Sequence, residues 1–288
     1  CHDGLLYIDA DEDYHFATEF GPLDQEMVKM ASAALDQSGY IVFEKFFDEK
    51  ACQAFINHLS KPESVFVERS TKRRHEGYSE RNVADSTSNL VEIESQDAMN
   101  NCGVFDHVIF NPNILTIIQN YLELPPIHVQ TNAWWSVPYS HTEAAKSEAA
   151  QQFHQDKEFI KFVKCFIYLN DVTDRNGPHE YISGSAKDYE QVLPKKYGAS
   201  DRLSDEYLQA RYPQDCFIKM AAPRGTLIIE DTNGFHKGVP ALEGHRLLVQ
   251  LEYCCSLYNS PVQRFSPQAD ERRKSLKDRF PRVFQNYG

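Results

Sequence analysis

With 288 residues, 41% of them hydrophobic and 25% charged, the chain has the make-up of a globular protein able to bury a sizeable core. A net charge of −12 has the wrong sign for a general nucleic-acid binder or for docking on an anionic membrane surface, and no apolar run is long enough to span a bilayer. Seven cysteines, without a C-x-x-C pair, suit free or buried thiols in a reducing, cytoplasmic setting better than a disulfide framework. The opening Cys1, in place of Met, reads as a trimmed or processed start.

Residues 1–20, with DADEDY, are acidic and patternless and are expected to wrap or fray. PLDQEMVKMASAALDQSG predicts a first helix, whose buried face is Leu23, Met27, Met30, Ala34 and Leu35 and whose stop is Gly39. YIVF follows as a short buried strand. Asp48 then caps a second helix carrying Ala51, Cys52, Phe55, Ile56 and Leu59 on one side. ERSTKRRHEGYSER gathers Arg69, Lys72, Arg73, Arg74 and Arg81 in an otherwise acidic chain. It reads as a mobile, solvated loop, the alternative being a loop that receives a carboxylate or a CoA phosphate. Asn111 as cap and Pro112 in the first turn open a third helix, which Pro125 and Pro126 close.

Beyond that point short β-prone runs recur between turn signals: IHVQTNAWWSV, QQFHQD, FVKCFIYLND, CFIKM, GTLIIED and RLLVQLEYC. Strands after helices point to a β-sandwich or barrel buttressed by helices. With no flexible linker and no internal repeat, residues 1–288 read as one domain. It comprises a helical buttress over about 20–125, a β core over about 127–258 and a charged C-terminal helix and tail over about 259–288. The tail, with DERRKSLKDRFPRVF, is expected to be a solvated face. Residues 138–150 and 186–215 look like insertions forming a rim or lid, and Cys254 and Cys255 read as core.

His154 and Asp156 stand two apart in QQFHQD, so on a strand both point to one side while Gln155 points away. His236, just past TLIIE at a Gly-flanked turn, offers a third ligand. Two histidines and a carboxylate on one side of an ion form the facial triad of non-haem Fe(II) oxygenases, with positions left open; a structural zinc site would be closed by four ligands. His141 and Glu143 form a second H-x-E pair, but in a polar, Ala-rich insertion that reads as solvated. His15, His58, His75, His107, His128 and His179 are isolated and read as structural or exposed. Arg246 opens the strand RLLVQLEYC, and an arginine directed into an apolar barrel calls for an anion. Its planar fork suits the distal carboxylate of a dicarboxylic cosubstrate; a surface arginine on an edge strand is the alternative.

With these residues the chain resembles the phytanoyl-CoA hydroxylase-like family of Fe(II)- and 2-oxoglutarate-dependent oxygenases over most of its length. GYIVFEKFFDEKACQAF is similar to the family's N-terminal strand and helix. FHQD, then IYLNDVTDRNGPHEYISGS, then GTLIIEDTNGFHKG and Arg246, follow the family's order of H-x-D, N-G-P, G-S, His and Arg. The resemblance implies a mainly β fold with flanking helices around a double-stranded β-helix, a jelly-roll, cupin-like core. It implies His154, Asp156 and His236 as catalytic Fe(II) ligands, Arg246 as the salt-bridge partner of 2-oxoglutarate, and O2 as the other cosubstrate. Asn132 shares a strand face with Trp134, and family members use an Asn near that point for the cosubstrate. Ala186 and Leu248 depart from the family's usual His after G-S and Ser two residues after the Arg, so a hydroxyl contact to the cosubstrate is absent or comes from elsewhere.

Lys164 shares a face with Phe166 and Tyr168; facing inward it is a buried cation and cosubstrate contact, facing outward it snorkels to solvent. Trp134, Trp135 and Tyr139 either fill the core or line an apolar substrate wall. The reaction implied is hydroxylation of a small organic substrate, anionic or acyl, with release of succinate and CO2. Asp156 favours it over halogenation, because related halogenases leave that ligand position to chloride. Two alternatives stand: a non-catalytic metal-binding jelly roll, and an O2-independent cupin-type hydrolase or isomerase. No nucleic-acid or membrane partner is expected.

Overall fold

Alternation along a single strand organises the molecule, whose computed structural model describes residues 25–100, 103–187, 202–258 and 271–287. The N-terminal part runs through α1 (Gln25–Ser38), β1 (Tyr40–Phe43), α2 (Glu49–Leu59), β2 (Val65–Glu68), β3 (Arg74–Glu76), α3 (Glu80–Ala84) and β4 (Leu90–Ile93). There follow α4 (Gln96–Asn100), α5 (Gly103–Ile109), α6 (Pro112–Leu122), β5 (Ile127–Ser136) and α7 (Glu143–Glu148). The strands of the second half are β6 (Phe162–Tyr168), β7 (His179–Ile182), β8 (Phe217–Met220), β9 (Leu227–Glu230), β10 (His236–Gly238) and β11 (Arg246–Cys254). They form two antiparallel sheets, an eight-stranded one ordered β1-β9-β6-β11-β5-β4-β2-β3 and a three-stranded one ordered β10-β7-β8.

The central strand β11 shows the logic. Leu247, Val249, Leu251 and Tyr253 join the core between the large sheet and the helices, with Leu35, Phe55, Phe105 and Ile114. The alternate residues face the small sheet: Leu248 packs with Phe166, Tyr168 and Ile228 against Tyr181 and Met220. Burial on both faces is why the run reads as nearly all apolar, and why its exceptions, Arg246, Gln250 and Glu252, carry meaning. Two facing antiparallel sheets backed by helices are the jelly roll expected from the sequence.

Local chemistry explains the helices. The Asp48 carboxylate accepts from Ala51 N at 2.7 Å, and Asn111 Oδ1 accepts from Asn113 N and Ile114 N at 3.0 and 3.2 Å, as the capping signals predict. The first helix differs from its predicted face. Val28, Ala31 and Leu35 are buried while Met27 and Met30 are exposed, because the small Ala31 lets α1 pack closely on α6; Leu23 lies outside the described residues. The strand YIVF is half-buried rather than buried. Among the described residues no helix is long and apolar enough to cross a membrane.

The basic run is solvated, as expected, with Lys72, Arg73, Arg74 and Arg81 exposed; it forms the hairpin β2–β3 and the start of α3, with Arg69 on Glu92, Arg74 on Glu94 and Arg81 near Asp85. The C-terminal segment is core rather than a solvated face: Leu276, Phe280, Val283, Phe284 and Tyr287 are buried, and Arg273 meets Asp106 at 2.5 Å with both side chains buried. Asp106→Asn strips the counter-charge from that guanidinium and is expected to cost about 3 kcal/mol in urea unfolding.

A buried carboxylate also adds to the acid sensitivity of the fold. Burial alone would raise the Glu68 carboxyl, but hydrogen bonds from Thr71, Thr87 and His75 outweigh it and bring it down from 4.5 to about 2. Such a group stabilises the fold above pH 4.5 and loses that contribution as pH falls toward 2. Glu68→Gln is therefore expected to flatten the fall in melting temperature across that window, measured by circular dichroism.

Candidate metal centre

The segment expected as a strand is shorter than that: Phe153 and His154 form isolated bridges, Phe153 with Leu203 and His154 with His236. His154 N donates to His236 O and His236 N donates to His154 O, both at 3.0 Å. Asp156 N donates to Thr232 O at 2.8 Å, so the second segment fixes all three residues by backbone bonds. Gln155 turns away, as alternation predicts, and its amide donates to Asn233 O at 2.6 Å. Gly234 is needed in the turn before His236, since a Cβ there would lie 1.9 Å from the Tyr181 hydroxyl.

His154, Asp156 and His236 come together, each offering one donor atom within 4.8 Å of the others. The Asp156 carboxylate lies 3.8 Å from His154 Nε2 and 3.4 Å from His236 Nε2. An ion at roughly 2.2 Å from each donor bridges separations up to about 4.4 Å, so both distances suit a single ion. His154 Nδ1 donates to Gln152 O and His236 Nδ1 to Gly234 O, each at 3.0 Å, which directs both Nε2 atoms toward Asp156. Burial, and then the neighbouring His236, push His154 well below the usual imidazole value. For His236 burial acts downward too, but the charge and hydrogen bond of Asp156 outweigh it and raise the group. Burial would raise Asp156; Lys164 and the two histidines overcome that and hold it well below the usual carboxylate range.

Lys164 faces inward. Its ammonium lies 2.6 Å from Asp156 Oδ2 and 3.5 Å from Glu158 Oε1, so protein carboxylates already meet the anion requirement of this expected cosubstrate contact. Burial opposes its charge, and Glu252, Asp156 and Glu158 reverse that and raise it. The Glu252 carboxyl is pushed up to about 7 by burial, against the pull of Lys164.

A cavity of about 310 Å³ is lined by the three donors, Lys164 and Glu158, and also by Arg246, Asn132, Trp134 and His179. Arg246 is buried, its Nε and Nη1 have no hydrogen-bond partner, and the Tyr168 hydroxyl is beside it. A Cβ on Gly238 would lie 3.1 Å from Arg246 Nη2, so glycine there leaves the guanidinium its space. The Asn132 amide donates to Glu92, which Arg69 holds at 2.8 Å. Trp135 is core and Tyr139 is exposed. His141 and Glu143 stay on the surface, with Glu143 bonded to Lys146 and Gln152.

Sequence reasoning missed two residues. His179, read as isolated, lines the cavity, stacks 5.6 Å from His236 and binds Glu230, which is fully buried, at 2.9 Å. Arg202 also lines the cavity. The signal for His179 was its place directly after Gly-Pro, at the start of a core strand; Arg202 offered none.

The phytanoyl-CoA dioxygenase family model matches residues 35–242. The chain belongs to this family. No curated protein matches it. Solved structures share the fold: the non-heme alpha ketoglutarate-dependent epimerase SnoN from nogalamycin biosynthesis is 14% identical, with TM-score 0.54, over 80% of this chain and 82% of its own. HygX from Streptomyces hygroscopicus, crystallised with nickel, 2-oxoglutarate and hygromycin B, is 15% identical with TM-score 0.53 over 81% and 88%. EctD from S. alaskensis, with bound Fe, is 16% identical with TM-score 0.51 over 83% and 79%. Within this family member, Lys164→Gln keeps the three donors and is expected to weaken Co(II) binding about tenfold, whereas Asp156→Ala weakens it further, read from the visible absorption of bound Co(II).

Proposed function

We propose that the protein is an Fe(II)- and 2-oxoglutarate-dependent dioxygenase that hydroxylates a small organic substrate. The carrying observation is a buried guanidinium with unpartnered nitrogens in the same cavity as a three-donor cluster. A closed structural metal site, or a hydrolase using the same donors, has no use for that cation. When bound, Fe(II) with 2-oxoglutarate and O2 supplies the oxidative decarboxylation to succinate and CO2 that drives oxidation of a substrate C–H bond.

The chain's own residues supply binding and orientation. His154 and His236 present Nε2 because their Nδ1 protons are committed to carbonyls. Asp156 Oδ2 takes the Lys164 ammonium and lies nearest His236, while Oδ1 faces His154, so Lys164 helps fix the carboxylate's orientation. Arg246 receives the distal carboxylate of the keto acid, with the Tyr168 hydroxyl standing where Leu248 supplies none. Asn132 completes the cosubstrate side. We further infer that helices, β core and C-terminal segment act as one unit, since all contribute to one apolar cluster.

Succinate is expected to form from 2-oxoglutarate in air with Fe(II) and ascorbate, and not in Asp156→Ala. Arg246→Gln is expected to raise KM for 2-oxoglutarate at least tenfold, about 1.4 kcal/mol, with a smaller effect on kcat. Absence of succinate from the wild type under every substrate tested would refute the assignment.

A further inference from the structure

If Arg246 takes the cosubstrate and the three donors take the metal, the rest of the cavity is left to the substrate, and the cations there differ in how their charge is met. Lys164 has Asp156 at 2.6 Å and Glu158 at 3.5 Å, and Arg69 has Glu92 at 2.8 Å. Arg202, half-buried on the same cavity, has no carboxylate within ion-pair distance among the described residues. Burial disfavours its charge, Asp156 partly offsets that, and the nearby Arg69 guanidinium adds to the cost. A half-buried cation beside another cation is a site prepared for an anion.

Its placement follows from the backbone. Leu203 bridges Phe153, and the two side chains join Leu208 and Phe235 in an apolar cluster away from the cavity. Alternation turns the next residues of the two segments, Arg202 and His154, to the opposite side, and both line the cavity. The guanidinium thus stands on the chain that flanks the first metal donor, close enough for its charge to act on both His154 and Asp156.

We propose that Arg202, with Arg69 beside it, anchors an anionic group of the substrate, a carboxylate or a phosphate, on the His154 side of the metal centre. The assignment of that anion as substrate rests on the oxygenase reading. An arginine fork grips either group through paired N–H donors, so a substrate carrying one is fixed in orientation as well as held.

Protein loaded with Zn(II) and 2-oxoglutarate, which does not turn over, is titrated in ligand-observed NMR. The panel holds small carboxylic acids, phosphate monoesters, and the neutral amides and alcohols of the same skeletons. Binding selective for one of the anionic classes is expected, weakened about tenfold or more in Arg202→Gln, with 2-oxoglutarate affinity and melting temperature of that variant unchanged. The class that binds identifies the head group. Equal binding of the neutral skeletons, no binding by either anion class, or undiminished anion binding by Arg202→Gln overturns the proposal. Uptake of 2-oxoglutarate is measured first in the same samples. Its failure counts against the oxygenase reading, while anion selectivity is still read on the zinc-loaded protein.

Discussion

Two reciprocal backbone hydrogen bonds, between His154 and His236, carry the geometry of the whole site. Residues paired in this way across antiparallel segments project their side chains from one face, about 5.5 Å apart at Cα. The imidazoles therefore lie side by side, with ring centroids 4.3 Å apart, before any metal contributes. The bond from Asp156 N to Thr232 O then adds the carboxylate to the same face. Gly234 and the Tyr181 hydroxyl, which donates to Asp231 O at 2.9 Å, hold the turn that delivers His236. Preorganisation by backbone bonding lets the donors converge without waiting for an ion to pull them together.

Charge in the cavity is arranged in matched layers. At one end of the inner face, Lys164, Glu252 and Glu230 stand in neighbouring strands, with Lys164 opposite both carboxylates. A divalent ion at the donors would add positive charge next to the ammonium, and the acidic groups around Lys164 offset that repulsion. Elsewhere in the cavity Arg246 has no carboxylate to answer it among the described residues. In the proposed assignment, a dianionic keto acid would join the two sites with one molecule, its far carboxylate meeting this guanidinium.

Much of this was legible in the sequence because strand alternation carries it. H-x-D placed His154 and Asp156 on one side, and the arginine that opens RLLVQLEYC pointed to the face of β11 that looks into the cavity. What was hidden depends on pairing between distant segments. Arg202 gains its position only because Leu203 bridges Phe153, and His179 only because β7 lies beside β10. The direction of Lys164 was undecided for the same reason: a strand buried on both faces gives no periodic sign of which side is the cavity. The C-terminal segment misled differently. Its apolar residues Leu276, Phe280, Val283 and Phe284 are outnumbered by charges, and a buried arginine such as Arg273 looks like a surface one until Asp106 is found opposite it. In the first helix a single step in phase exchanged the exposed methionines for the true interior positions Val28 and Ala31.

Anaerobic crystals grown with Fe(II) and 2-oxoglutarate, and measured at the iron absorption edge, test the central claim most directly. The account predicts one anomalous peak bonded to Nε2 of His154, Nε2 of His236 and one oxygen of Asp156, with Lys164 still on the other oxygen and the keto acid ending on Arg246. Iron bound elsewhere, or an Asp156 carboxylate that stays with Lys164 alone while the histidines remain free, would contradict it.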